Sequence, residues 1–213
     1  MDEQELIRAI TTEVLRRLGG GAAPAAKIPV GVSARHCHLC PEHVTALFGP
    51  GQELTPRAPL YQPGQFAAEQ TVTLVGPRGI LERVRVLGPT RPRSQVEVAL
   101  TDAIRLGVRP SISDGSDLTG TAPIVLVGPA GVVHLHEGLI LAWRHIHLSP
   151  REAEYWGVKH HDVVRVELPG PRGLTLNNVL VRVSPDFIAQ MHIDTDEANA
   201  AGITCDLEVE IAR

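Results

Sequence analysis

The chain is poor in aromatic residues: Trp, Tyr and Phe together make up 3 % of its 213 positions. So few rings leave little to stack on bases or sugars. Cysteine is scarce as well, at three (Cys37, Cys40 and Cys205), and an odd, low number does not make a disulfide framework. Neither charge dominates: 20 basic and 24 acidic residues give a formal net charge of −4. That balance supplies no basic footprint for nucleic acid and no acidic, solvating tail. No apolar run approaches the ~20 residues of a membrane span. There is no Walker loop and no dinucleotide glycine fingerprint. The N-terminus lacks the basic-then-apolar order of a secretory signal, so the expected setting is a reducing cytoplasm.

Turn formers are plentiful, with 20 Gly and 17 Pro, and 43 % of residues are hydrophobic. Short Val-rich runs between Gly-Pro turns predict a mainly β chain rather than a helical bundle. Strands are expected at 28–32, 71–75, 81–87, 95–100, 124–127, 138–143, 163–168, 174–183, 190–193 and 207–211. Short helices are expected at 41–48, 101–106, 150–156 and 195–201. Residues 1–18 stand apart. Leu6, Ile7, Ile10, Val14 and Leu18 recur at helical spacing, which predicts an amphipathic helix. Gly19-Gly20-Gly21 stops it, and 19–27 reads as a flexible linker. The helix either docks on its own domain or is a detachable segment for a partner.

The sequence also repeats itself. Arg35-His36-Cys37-His38-Leu39-Cys40-Pro41 returns as Arg144-His145-Ile146-His147-Leu148-Ser149-Pro150, an offset of 109. Leu74-Val75-Gly76-Pro77-Arg78-Gly79 returns as Leu168-Pro169-Gly170-Pro171-Arg172-Gly173, an offset of 94. Gln95-Val96-Glu97-Val98 returns as Gln190-Met191-His192-Ile193, an offset of 95. Two similar small β-barrel units, 28–118 and 119–213, account for these matches.

Ten histidines are present, and they cluster. A His-x-His pair on a strand puts both imidazoles on one face, ~6.5–7 Å apart at Cα, where they converge on one ion. Two such pairs in matched contexts point to metal. The repeat nominates third ligands, because Glu97 and His192 hold the same place in the two copies. The expectation is two metal centres, His36, His38 and Glu97 at one, and His145, His147 and His192 at the other. Three protein ligands leave a coordination position open, as catalytic zinc requires. Cobalt, manganese and iron suit the same donors. Alternation sends Cys37 to the opposite face, toward packing. His134, His136, His160 and His161 read as surface residues. Arg91 and Arg93, just ahead of the Glu97 strand, either hold an anion such as phosphate or belong to a solvated loop.

Five motifs in order carry a family resemblance: Val32-Ser-Ala-Arg-His-Cys-His-Leu39, Val86-Leu-Gly-Pro-Thr-Arg91, Ser94-Gln-Val-Glu-Val98, Arg144-His-Ile-His-Leu-Ser149 and Gln190-Met-His-Ile-Asp-Thr-Asp-Glu-Ala198. From Ile28 onward the chain resembles the phosphate propanoyltransferases of bacterial microcompartments. The resemblance implies paired β-barrels with short capping helices, and the exchange of a short acyl group, propanoyl or acetyl, between CoA and phosphate. It implies two zinc ions: the His36/His38/Glu97 ion meets the CoA sulfur and the three-histidine ion lies near phosphate. Arg91 becomes the catalytic, phosphate-binding arginine. Residues 1–27 look like an encapsulation helix and linker, with microcompartment shell or cargo proteins as partners and a homo-oligomer as the assembly. One departure is Leu39 and Leu148, where the family commonly has methionine. Two other classes compete: a dinuclear metal-dependent thioester hydrolase, and a non-catalytic binding module stapled by zinc.

Overall fold

The computed structural model describes residues 27–212 apart from Asp206, so the helix expected over 1–18 and residues 19–26 of the linker lie outside the described residues. The described chain is mainly β, as expected, with two barrel-like sheets and four short helices.

The first sheet takes β2 (His36–His38), β3 (Pro56–Pro59), β4 (Phe66–Val75), β5 (Ile80–Gly88), β6 (Gln95–Glu97), β7 (Ile112–Ser113), β8 (Ala122–Val127) and β9 (Val132–Ala142). Its order is β3-β4-β5-β2-β6-β9-β7, and β8 bridges β9 back to β4, which closes a barrel. The second takes β1 (Ile28–Ser33), β10 (His145–Leu148), β11 (Val163–Leu168), β12 (Leu174–Val183), β13 (Gln190–Asp194), β14 (Glu208–Val209) and β15 (Ile211–Ala212). Its order is β14-β1-β13-β10-β12-β11-β15. The two end strands are consecutive in the chain, so the sheet curls round on itself.

Each barrel buries its own apolar core. Alternating residues such as Val72, Leu74, Val84, Val86 and Val96 point inward in the first. Ile146, Leu148, Val179, Val181 and Met191 do so in the second. Each fully buried side chain of this kind contributes ~1.5–3 kcal/mol. Four helices cap the barrels: α1 (Pro41–Phe48), α2 (Leu100–Leu106), α3 (Pro150–Trp156) and α4 (Thr195–Ala201). Ser149 and Glu152 close a capping box at the start of α3, and Asp194 and Glu197 close one at the start of α4. These satisfy amide groups that the first turn leaves without partners.

Sheet membership departs from the boundary expected near residue 118. β1 pairs in parallel with β13 of the second barrel, while β8 and β9 complete the first. The units are therefore interlocked. β1 leads directly into β2 of the other barrel, and β9 leads directly into β10 of the other barrel. Short motif matches cannot show this, because pairing is a property of the partner strand. Three smaller differences have local causes. β6 ends at Glu97 because Leu100 already opens α2. The expected strand 207–211 divides into β14 and β15 as it passes from β1 to β11. β9 starts at Val132, six residues before the expected Gly138.

Candidate metal and anion site

Interlocking brings the two His-x-His strands to one place. In the first barrel β2 lies antiparallel to β6, with His36 opposite Glu97 and His38 opposite Gln95. In the second, β10 lies antiparallel to β13, with His145 opposite His192 and His147 opposite Gln190. Each triad thus assembles from two neighbouring strands, as the repeat predicts. Within each group the candidate ligand atoms lie within 4.8 Å of one another. Both groups line a single cavity of about 660 Å³, a size that holds a small-molecule ligand or a large part of a cofactor.

The first histidine of each pair is oriented in the same way. His36 Nδ1 donates to the Ala34 carbonyl at 2.8 Å, and His145 Nδ1 donates to the Trp143 carbonyl at 2.7 Å. A carbonyl only accepts, so Nδ1 carries the proton in both neutral imidazoles and Nε2 is the atom each would offer to an ion. Other nitrogens are buried without any partner: His38 Nδ1, both ring nitrogens of His147, and His192 Nε2. Orphaned polar atoms of this kind are costly unless something binds them. The donor sets, two imidazoles with a carboxylate and three imidazoles, fit divalent ions of the zinc type.

Electrostatics prepare the same chemistry. Burial lowers the His38 pKa to about 3, with help from the Arg91 charge. Burial lowers His145 to about 4, with Arg182 adding to it, and His192 to about 3, with His145 adding to it. His147 is pushed far down for the same reason. These imidazoles are neutral at pH 7, which is the ligating form. His36 differs: burial opposes its protonation, but the facing Glu97 carboxylate outweighs burial and holds its pKa above the ordinary value. Glu97 is half-buried, and although its desolvation works the other way, His36 keeps its carboxyl well below the usual range. Gln95 Nε2 donates to the other Glu97 oxygen at 2.6 Å and so orients it.

The other histidines and cysteines sort as their faces dictate. Cys37 is fully buried in the first core, where burial pushes its thiol up to about 12. Cys40 is buried at the start of α1, its amide donating to Ser94 Oγ at 2.9 Å. His134, His136, His160 and His161 are exposed. Arg91 lines the cavity, half-buried, whereas Arg93 is exposed and lies 3.9 Å from Glu137.

Several contributors escape sequence reasoning. Arg35 pairs with Asp102 at 2.7 Å, and Arg144 pairs with Glu197 at 2.8 Å. The arginine before each His-x-His is therefore tied to the first turn of a capping helix, and the repeat itself carried that signal. Gln190 anchors the other side. A Cβ on Gly31 would lie 2.7 Å from its Nε2, so β1 passes close against this side chain and a larger residue at 31 would push the amide aside. Gln62 reaches across to Gln190 Oε1 at 3.1 Å and to the Ile188 carbonyl at 3.0 Å. Cys205, distant in sequence, also lines the cavity. So does Arg182, which no motif marks.

The fold and site define a two-lobed β protein with paired metal-ready clusters in one shared cavity. The defining pattern of the phosphate propanoyltransferase family matches residues 29–204. The phosphate propanoyltransferase of Thermotoga maritima is 55 % identical over 175 residues, covering 82 % of this chain and 83 % of that one. That of Priestia megaterium is 51 % identical over 201 residues, covering 94 % and 93 %. That of Salmonella typhimurium is 48 % identical over 200 residues, covering 93 % and 90 %. The chain belongs to the phosphate propanoyltransferase family.

Proposed function

We propose that this chain is a phosphate acyltransferase that moves a short acyl group, propanoyl or acetyl, between CoA and inorganic phosphate at a two-zinc site. The observation that carries this reading is the pair of ligand triads and Arg91 lining one cavity in a chain of this family. His36, His38 and Glu97 hold one ion, and His145, His147 and His192 hold the other. When bound, such ions polarise a thioester carbonyl and stabilise the departing thiolate.

The protein's own groups do the rest. Arg91 holds phosphate by charge-assisted hydrogen bonds and offsets the charge that builds up as it attacks. A cavity shared by both barrels keeps acyl donor and phosphate side by side, and proximity of this kind lowers barriers by up to ~7–11 kcal/mol. No side-chain nucleophile is required: phosphate oxygen attacks the thioester carbonyl, the C–S bond breaks, and CoA leaves as thiolate. The products are acyl phosphate and CoA.

Residues 1–18 serve as an encapsulation helix that binds shell or cargo proteins, placing the enzyme in the bacterial cytoplasm inside a microcompartment, as a homo-oligomer. Their apolar stripe motivates this. Among the described residues no helix is long and apolar enough to cross a membrane.

The test is CoA release from acetyl-, propanoyl- and butanoyl-CoA with and without phosphate. Release that requires phosphate and yields acyl phosphate supports transfer. Equal release without phosphate would indicate a thioester hydrolase, and no release with both metals bound would indicate a binding module.

A further inference from the structure

Arg182 sits on β12, directly across the strand pair from His147. It is half-buried, and it lines the same cavity as Arg91 and both ligand triads. Arg91 comes from the first barrel and Arg182 from the second, so the two cations reach the cavity from opposite lobes.

Their surroundings leave the pair short of counter-charge. Glu97 is committed to His36 and Gln95. Asp114, on the loop after β7, also lines the cavity and lies within charge range of Arg182, but no ion pair joins them. Its Oδ1 accepts instead from the amide and hydroxyl of Ser116 at 2.9 and 2.6 Å, so one carboxylate is left to balance two guanidinium groups. Among the described residues no hydrogen bond or ion pair within the protein engages the Arg182 guanidinium. Both arginine charges bear on His147, and burial, with the Arg182 charge adding to it, lowers the pKa of Arg91. Two cations held in a partly desolvated cavity repel each other until an anion lies between them.

We propose that Arg182 is a second phosphate-binding residue, which with Arg91 clamps a phosphate group from both lobes at the three-histidine end of the cavity. This rests on the functional reading above. Register with His147 places its guanidinium beside that triad, and its planar fork suits two phosphate oxygens. The phosphate belongs either to inorganic phosphate or to the nucleotide part of CoA, and we assign it to inorganic phosphate because the clamp lies at the metal centres, where the acyl group is transferred.

The test compares the metal-loaded wild type with Arg182→Ala and Arg182→Lys. Inorganic phosphate binding is followed by calorimetry in the absence of acyl-CoA. Initial rates are then measured while phosphate, acyl-CoA or acyl-pantetheine, which lacks the nucleotide phosphates, is varied. Arg182→Ala should weaken phosphate binding and raise the KM for phosphate about tenfold or more, as loss of a charge-assisted contact implies. The KM for acyl-CoA should stay near wild type, and Arg182→Lys should recover part of the loss. Unchanged phosphate binding overturns the assignment. So does a KM increase seen with acyl-CoA but not with acyl-pantetheine, which would give Arg182 to the CoA phosphates. Should Arg182→Ala fail to fold, Arg182→Gln carries the same comparison. Calorimetry needs no turnover, so a wild type that binds phosphate but transfers no acyl group would overturn the function while leaving Arg182 to be judged by binding.

Discussion

His36 and Glu97 face each other across β2 and β6, with Nε2 3.4 Å from Oε2. His145 and His192 hold the matching positions across β10 and β13, their rings stacked at 4.9 Å. One repeat position thus carries a carboxylate in the first triad and an imidazole in the second. The two centres differ in charge while sharing a backbone plan. Removing Glu97 should therefore empty one centre and leave the other filled. Glu97→Ala is expected to halve the metal content, and His192→Ala to halve it from the other side, as read by elemental analysis. Loss of all metal from either variant would show that the centres are not separable.

Arg91 lies half-buried in the cavity wall, where its charge bears on both His38 and His147. Arg91→Ala should raise the KM for phosphate at least tenfold, on the scale of a lost charge-assisted contact, and leave the KM for acyl-CoA within about twofold. An unchanged phosphate dependence in steady-state kinetics would remove Arg91 from the substrate site.

Direct attack by phosphate predicts that no cysteine is essential. Cys40→Ser and Cys205→Ser should retain turnover. Cys37→Ser should be destabilised by about 1–3 kcal/mol, because a buried hydroxyl needs a partner that the apolar core does not offer. The folded fraction should stay active. A variant that keeps both metals and its fold but loses turnover would point to an acyl-enzyme.

The lowered histidines set the acid sensitivity of the metal-depleted protein. The folded-state pKa is about 4 for His145 and about 3 for His38 and His192, against 6.5 in the unfolded chain. Between about pH 6.5 and 4 the unfolded chain binds more protons, so stability rises with pH across that window. Asp194 and Glu197, whose carboxyls burial raises, work in the opposite sense within this window, and His36, with its raised pKa, does so above pH 6.5, but the four strongly lowered histidines outweigh them. Thermal melts of the chelated protein should show Tm falling steadily from pH 7 to pH 4.5. A flat profile would mean the triads are solvated.

Deleting residues 1–27 should leave catalysis intact, since every proposed ligand lies at or beyond His36. The same deletion should reduce self-association and abolish loading into the shell. Fusing 1–27 to an unrelated protein should carry it there. A truncated enzyme that loses metal and unfolds would make residues 1–27 part of the catalytic fold.

Much of this architecture is legible in the residues. The capping helices at 41–48, 150–156 and 195–201 coincide with the expected bounds, because Pro at the start of α1 and α3 and acidic first turns in α3 and α4 mark the starts. The triads were readable because the same spacing occurs twice, and repetition separates a ligand pattern from chance surface histidines. What was not legible depends on the partner strand. Nothing in Ile28–Ser33 says that it will pair with Met191–Asp194 rather than with its own unit. Arg182 is one of many arginines until β12 sets it beside His147. Gln62 gains meaning only when Gln190 arrives from 128 residues away.

The most direct test is metal stoichiometry and phosphate-dependent CoA release measured on one preparation. Elemental analysis should give two metal ions per chain, with activity falling as either triad is emptied. One ion per chain in fully active enzyme would contradict the account.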